Sequence, residues 1–284
     1  MLQNDTLLNG LQIIQNSKSF MYGIDAVLLA DFAAPLIHKK DSVIDLGSGN
    51  GIIPLLLSSL CPKAQITGLE IQVESAKFAK ESILLNHLEE RLSFVNADLK
   101  NVASLFNRHS FNVVCSNPPY MTASQGKLNP NDAKALARHE ISCTLEDVIF
   151  AAEYLLATHG KFFMIHRPSR LPEILSLLLK YKMEPKRLCL VHPSSKKNAN
   201  LVLVEARKNA APELILEPPL FVYEEKSKAC GAKDETVKDE FTKDEPAIDY
   251  STKEVSPKAP YSPQMEAIFE RLRKSSFSLE ATLE

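Results

Sequence analysis

No apolar run in this sequence reaches the ~18 residues that a membrane-spanning helix needs, which excludes a bundle of spanning helices. The opening segment MLQNDTLLNG lacks a basic stretch followed by an apolar one, so no secretory leader is expected. Cysteine is sparse, and Cys61, Cys115, Cys143, Cys189 and Cys230 are scattered, odd in number and free of any CxxC pair. That spacing excludes a disulfide scaffold and predicts reduced thiols in a cytoplasmic protein. His38, His87 and His109 have no partners at metal-ligand spacing, so no metal is expected. A dominant charge of one sign is lacking too, the formal net charge being -2.

The near-neutral total hides a division. Residues 1–223 carry 23 Lys and Arg against 21 Asp and Glu, whereas residues 224–284 carry 10 against 14. Within the first part, the stretch Lys161 to Lys208 holds 11 basic residues and 3 acidic ones. Such an excess suits a polyanion partner if the charges share a face, and merely solvates the surface if they do not.

From Asp41 to about Lys208 short β-type runs alternate with longer amphipathic ones. Strands are predicted at Ser42–Leu46, Gln65–Glu70, Leu92–Ala97, Phe111–Ser116, Gly160–His166, Arg187–Val191 and Asn200–Ala206. Helices are predicted at Ile52–Leu60, Gln72–Asn86, Leu145–Thr158 and Pro168–Tyr181. This alternation implies an α/β fold, a mostly parallel sheet with helices on both faces. The last two strands lack a long helix between them, which predicts a closing hairpin with one antiparallel member. Ahead of this domain, residues 1–40 read as a cap segment, with a short strand at Gln12–Ile14 and a helix at Ile24–Leu36 packing over the mouth of the sheet. Beyond residue 223, KDE recurs at Lys233, Lys238 and Lys243. A segment so poor in apolar residues cannot offset its ordering entropy, so residues 224–260 are expected to be disordered. The remainder, 261–284, holds a short amphipathic helix at Ser262–Arg273 and a tail.

Two motifs carry chemistry. The first is Asp45-Leu46-Gly47-Ser48-Gly49-Asn50-Gly51, between a strand and a helix. Glycines at such a bend adopt positive φ and let a ligand approach the backbone. Their GxGxG spacing differs from the pyrophosphate cradle of dinucleotide enzymes. Glu70 ends the next strand, 19 residues past Gly51, where a carboxylate can accept both hydroxyls of a ribose. Asp98 ends the third strand and can accept from an adenine amine. The second motif is Ser116-Asn117-Pro118-Pro119-Tyr120, following the fourth strand. Two prolines stop the strand and fix the backbone, so the Asn117 side chain and the Pro118 carbonyl can converge on one amine. Two acceptors draw a conjugated amine towards sp³ and free its lone pair, while Tyr120 can stack on the planar group.

The order DLGSGNG, GLE, NAD resembles the cofactor motifs of class I S-adenosylmethionine-dependent methyltransferases, a Rossmann-like fold with a seven-stranded sheet. The resemblance implies that Asp45 holds a water or the methionine amine, that Gly47, Ser48, Gly49, Asn50 and Gly51 back the sulfonium, and that Glu70 and Asp98 hold ribose and adenine. Asp25, Ile71 and Asn117 join the implied cofactor contacts. Asn117-Pro118-Pro119-Tyr120 is similar to the NPPY catalytic motif of enzymes that methylate adenine N6, guanine N2 or the glutamine amide.

Over residues 7–223, and again at Tyr261–Phe269, the chain resembles the bacterial family that methylates adenine 37 of a valine tRNA. The shared features include Gln12-Ile13-Ile14-Gln15, Gly23 to Ala30, Arg138-His139-Glu140, His166-Arg167-Pro168, Pro185-Lys186-Arg187 and Ala199-Asn200. It departs at the KDE segment and at His192-Pro193. The implied partner is tRNA, with Arg138, His139, His166, Arg167, Lys186, Arg187, Lys196 and Lys197 as candidate RNA contacts. A glutamine methyltransferase, which needs a peptide groove in place of a basic face, stays open at this point. So does a non-catalytic RNA-binding protein on the same fold. The sequence leaves the oligomeric state open between a monomer and a weak homodimer.

Overall fold

The computed structural model describes residues 2–16, 23–120, 143–224 and 260–275. Five central strands are parallel: β3 (Ser42–Leu46), β4 (Gln65–Glu70), β5 (Leu92–Asn96), β6 (Phe111–Ser116) and β7 (Leu156–His166). β8 (Met183–His192) and β9 (Leu201–Lys208) complete the expected seven. β9 runs antiparallel to both β7 and β8. Two further strands, β10 (Ile215–Leu216) and β11 (Leu220–Phe221), add to the outer side of β8 and bring this sheet to nine strands among the described residues. Strands two residues long carry no periodic signal, which is why the pattern did not announce them. The order is β10-β8-β9-β7-β6-β3-β4-β5, so β3 lies between β4 and β6.

The central strands are apolar on both faces because both are covered. Phe162, Phe163, Met164 and Ile165 on β7 are all fully buried, alternate residues entering opposite cores. Each such side chain contributes roughly 1.5–3 kcal/mol of burial. One face is covered by α1 (Ile24–Ala33), α2 (Ile52–Leu60), α3 (Val73–Leu85) and a C-terminal helix, the other by α4 (Val102–Leu105), α5 (Leu145–Leu155) and α6 (Leu171–Lys180). α5 starts at a capping box: the Thr144 hydroxyl accepts from the Asp147 N–H at 3.1 Å, and the Asp147 carboxylate accepts from the Thr144 N–H at 2.8 Å. It ends at Leu155, three residues before the expected boundary, because the chain enters β7 at Leu156.

Inside the N-terminal segment, β1 (Leu2–Thr6) and β2 (Gln12–Asn16) form an antiparallel hairpin, where the sequence suggested only the second strand. The hairpin docks on α3, with Asn86 Oδ1 accepting from the Gln12 N–H at 2.8 Å and Ser82 Oγ from the Ile14 N–H at 2.9 Å. α1 lies against α2 and β7 as part of a covering layer.

The KDE repeat lies outside the described residues. Its flanks meet, the Glu224 N–H donating to the Pro260 carbonyl at 2.8 Å while the Tyr223 and Tyr261 rings stack at 5.4 Å. Beyond them α7 (Pro263–Ser275) buries Met265, Ile268, Phe269 and Leu272, the spacing of one helical stripe. Arg271 pairs with Asp31 of α1 through two bonds of 2.8 and 2.7 Å.

Candidate active site

The glycine-rich bend leaves β3 at the carboxyl edge of the sheet. Gly47 and Gly49 have φ of +71° and +56°, and a Cβ on either would meet nothing within 4 Å. Gly51, at φ +87°, differs: a Cβ there would come within 3.1 Å of Ala79 and 3.3 Å of Phe94. The first two glycines therefore keep a surface open, and the third lets the start of α2 come close to Ala79 of α3 and Phe94 of β5. The Gly47 and Ser48 N–H groups donate to the Leu69 carbonyl at 2.9 and 3.0 Å, which ties the bend to the end of β4.

Asp45 is fully buried beneath this surface. Neither of its carboxylate oxygens nor the Ser48 hydroxyl has a hydrogen-bond partner among the described residues. Burial raises the Asp45 carboxyl from 3.8 to about 7. The adjacent Ser48 hydroxyl tempers that rise and the Glu70 charge adds to it. A buried carboxylate without donors is costly unless a ligand supplies them. Orphaned acceptors beneath an open glycine cradle fit a cationic amine and its neighbouring groups.

Glu70 does more than the sequence suggested. Its Oε2 accepts from the Gly49 N–H and its Oε1 from the Gln72 N–H, both at 2.8 Å, so it also organises the bend. Lone pairs remain on both oxygens for a diol. Ile71, next in the chain, leaves an exposed apolar side chain at the same strand end. Asp98 is half-buried at the start of a 3-10 turn, where its Oδ1 accepts from the Lys100 N–H at 2.9 Å. The β3, β4 and β5 ends lie side by side, which brings Asp45, Glu70 and Asp98 together on one edge.

On the other side of β3, β6 delivers Asn117, Pro118, Pro119 and Tyr120. The Tyr120 hydroxyl lies 2.7 Å from both Asp25 Oδ2 and Asn117 Oδ1. One proton serves only one acceptor, and the carboxylate is the stronger. Burial first, and then the Asp25 charge, holds the Tyr120 hydroxyl well above its usual range, so it stays protonated. Asp25, on α1, thus reaches the catalytic motif; the resemblance had placed it among the cofactor contacts. The Arg167 guanidinium sits 5.1 Å over the Tyr120 ring and the His166 ring meets it edge-on at 5.3 Å.

The candidate RNA contacts divide. His166 and Arg167 stand at the carboxyl end of β7, and the exposed Lys196 and Lys197 lie in the loop after β8, at the same edge. Lys186 and Arg187 belong to the first half of β8, away from that edge. Lys186 is held by the Ala211 carbonyl at 3.2 Å and the Glu213 carboxylate at 3.4 Å. Arg187 pairs with the buried Glu205 and stacks on Phe32 at 4.3 Å. Arg138 and His139 lie outside the described residues. Gln15 had no role in the sequence reading; its Oε1 accepts from the Asn50 side chain at 3.3 Å while its Nε2 donates to the buried Asp5. Its place in the Gln12–Gln15 resemblance was the available signal. Among the described residues no cluster of His, Cys, Asp and Glu has metal-holding geometry, and no helix is long and apolar enough to cross a membrane. Cys61, Cys115, Cys143 and Cys189 are free thiols.

Residues 24–179 match the family model of the methyltransferase small domain, which covers more than half of the chain and both motifs. The chain belongs to this family. The tRNA1(Val) (adenine(37)-N6)-methyltransferase of Dyadobacter fermentans is 29% identical over 203 residues, spanning 70% of this chain and 81% of that protein. The protein of the same name from Aeromonas hydrophila is 29% identical over 183 residues, or 64% and 74% of the two chains. Among solved structures, a predicted O-methyltransferase from Agrobacterium tumefaciens superposes with a TM-score of 0.61 at 21% identity, covering 87% of this chain and 96% of that one. TYW2 of P. horikoshii, solved with MeSAdo, gives 0.53 at 15% identity over 74% and 72%. These two likenesses are likenesses of fold.

Proposed function

We propose that this methyltransferase uses S-adenosylmethionine to methylate the exocyclic N6 of an adenine in tRNA, at position 37 of a valine tRNA. The observation that carries the cofactor is the pair of orphaned buried groups, Asp45 and Ser48, beneath two glycines whose Cβ positions are open. Asp45 and Ser48 would hold the methionine end, Gly47 and Gly49 would lie against the sulfur region, and Glu70, Ile71 and Asp98 would take the adenosine. When bound, the cofactor supplies an electrophilic methyl group on a good leaving group.

The work left to the chain is positioning and electrostatics. Asn117 Oδ1 and the Pro118 carbonyl accept the two hydrogens of the target amine, which turns its lone pair out of conjugation. Tyr120 offers a ring face to the base, and its hydroxyl stays on Asp25, leaving Asn117 Oδ1 for the substrate. Arg167, now over that ring, is placed to exchange the Tyr120 face for a phosphate when a base enters. Lys196 and Lys197 add charge to the same edge. The relatives' names support the choice of adenine in tRNA over the other amines that an NPPY motif serves.

The test is incubation with labelled S-adenosylmethionine and tRNA lacking its own modification, followed by nucleoside analysis. Label in N6-methyladenosine at position 37 is the expected result. Label on a glutamine-bearing peptide, with none on tRNA, would overturn the reading in favour of a protein substrate.

A further inference from the structure

His166 is buried at the end of β7 and has an unassigned hydrogen-bonding group. Ser116 on β6 lies opposite Met164 on β7, so continuing the parallel register sets Pro118 level with His166. The imidazole lines a cleft together with Pro118, Pro119, Thr144 and Arg170. Its Nδ1 accepts from the Arg167 backbone N–H at 2.8 Å. A ring nitrogen that accepts carries no proton, so in the neutral imidazole the proton sits on Nε2. Burial first, and the Arg170 charge second, lowers the pKa to about 4 and keeps the ring neutral. The edge contact with Tyr120 at 5.3 Å fixes its plane. The side chain is only 1% exposed, and its hydrogen bond through Nδ1 leaves Nε2 for the cleft.

A carbonyl acceptor at Pro118 thus stands beside an N–H donor at His166. An exocyclic amine next to an unprotonated ring nitrogen presents the complementary pair. Adenine offers it on either side of N6, through N1 or N7, whereas guanine offers it on the N3 side of its amine alone, since N1 carries a hydrogen. We propose that His166 is a substrate-binding residue that donates from Nε2 to the adenine ring nitrogen flanking the methylated amine. This rests on the adenine reading given above.

The test uses semi-synthetic tRNA in which the target adenosine is replaced by 1-deazaadenosine or by 7-deazaadenosine. With the wild-type enzyme, one analogue should lose about tenfold in kcat/KM, the size of one lost neutral hydrogen bond at its upper range, and the other should match the parent. His166→Phe should lose the same factor on the parent and nothing further on the sensitive analogue, while His166→Gln, which keeps an N–H donor, should recover part. A merely structural role would lower all three substrates alike in His166→Phe. Full wild-type activity on both analogues would overturn the role of His166 alone. Failure on the parent tRNA would sink the adenine reading and this inference with it.

Discussion

Lys208 and Asp45 are both buried ionisable residues at ends of strands in the same sheet, yet one is crowded with partners and the other has no hydrogen-bond partner among the described residues. Lys208 lies at the amino edge, where its ammonium pairs with Glu153 at 2.8 Å and reaches His109 Nδ1 and the Leu156 carbonyl at 3.1 Å. Burial alone would raise the Glu153 carboxyl, but the Lys208 ammonium and the Arg108 guanidinium outweigh it and hold it below the usual range. Lys161 at the same edge caps the Leu36 carbonyl at 2.7 Å. At the carboxyl edge, Asp45, Ser48 and Asn200 keep all the buried side-chain oxygens that lack a partner among the described residues. One edge has been closed for stability and the other left open for ligands, at some cost to the fold.

The largest expected effect tests the closed edge. Lys208→Met should destabilise the protein by about 3–5 kcal/mol, since it removes the ammonium that serves the Glu153 carboxylate and the Glu153 and Leu156 carbonyls at once, and leaves only Arg108 on that carboxylate. Denaturant melts would show this loss, and calorimetry on the folded fraction should find cofactor affinity unchanged. A shift in that affinity would mean that the two edges are coupled.

At the open edge Asn117→Ala should behave in the reverse way. Turnover on tRNA should fall by about 10²–10³, as when one preorganised polar contact to a reacting group is lost, with cofactor binding and melting temperature nearly unaltered. Retention of more than a tenth of the activity would remove Asn117 from the chemistry.

Asp45 gives the comparison a pH axis. With its carboxyl raised from 3.8 to about 7, the ligand-free protein holds this proton below pH 7. A cationic amine needs the ionised form. Cofactor affinity should therefore rise with pH up to about 7 and level off above, by up to about tenfold per unit. Ionisation opposes the fold from the ordinary value upward, so ligand-free stability should fall between about pH 4 and 7. Asp45→Asn should flatten both curves, weaken binding and raise ligand-free stability at pH 8. Pressure for ligand binding, with no gain to the fold, is what keeps such a carboxylate buried.

A smaller effect separates the basic residues of the two edges. Lys196→Ala with Lys197→Ala should flatten the slope of log tRNA affinity against log salt by about 0.7–0.9 per lost phosphate contact. Lys186→Ala should leave the slope as it was. Arg187 is unsuitable for such a test, because truncating it removes one of the two guanidinium groups paired with the buried Glu205 and leaves Arg207 alone on it. Equal slopes for both variants would show that RNA does not lie along the carboxyl edge.

The smallest effect concerns the acidic repeat. Deleting residues 227–258 should change melting temperature and activity little, because Glu224 and Pro260 already meet at 2.8 Å. Loss of tRNA binding on deletion would make the segment part of the substrate face.

What the sequence determined by itself was everything that short-range backbone geometry fixes. A strand followed by DLGSGNG can only turn sharply through its glycines, and a strand followed by NPPY can only stop, so both motifs were legible as ligand-facing bends. Strand and helix periods located the seven main strands, though not β10 and β11, nor the hairpin partner β1, whose pairing is a long-range matter. The position of each charge was decided by strand direction. Successive crossings of the sheet place Arg167 and Lys197 at one edge, and Lys186 and Lys208 at the other, so a stretch of sequence holding 11 basic residues is not one basic face in the protein. The Tyr120–Asp25 bond spans 95 positions. The Gln15–Asn50 bond crosses from the hairpin to the glycine bend. Contacts of this kind arise only when packed layers bring distant segments within 3 Å or so, and no local pattern in the chain encodes them.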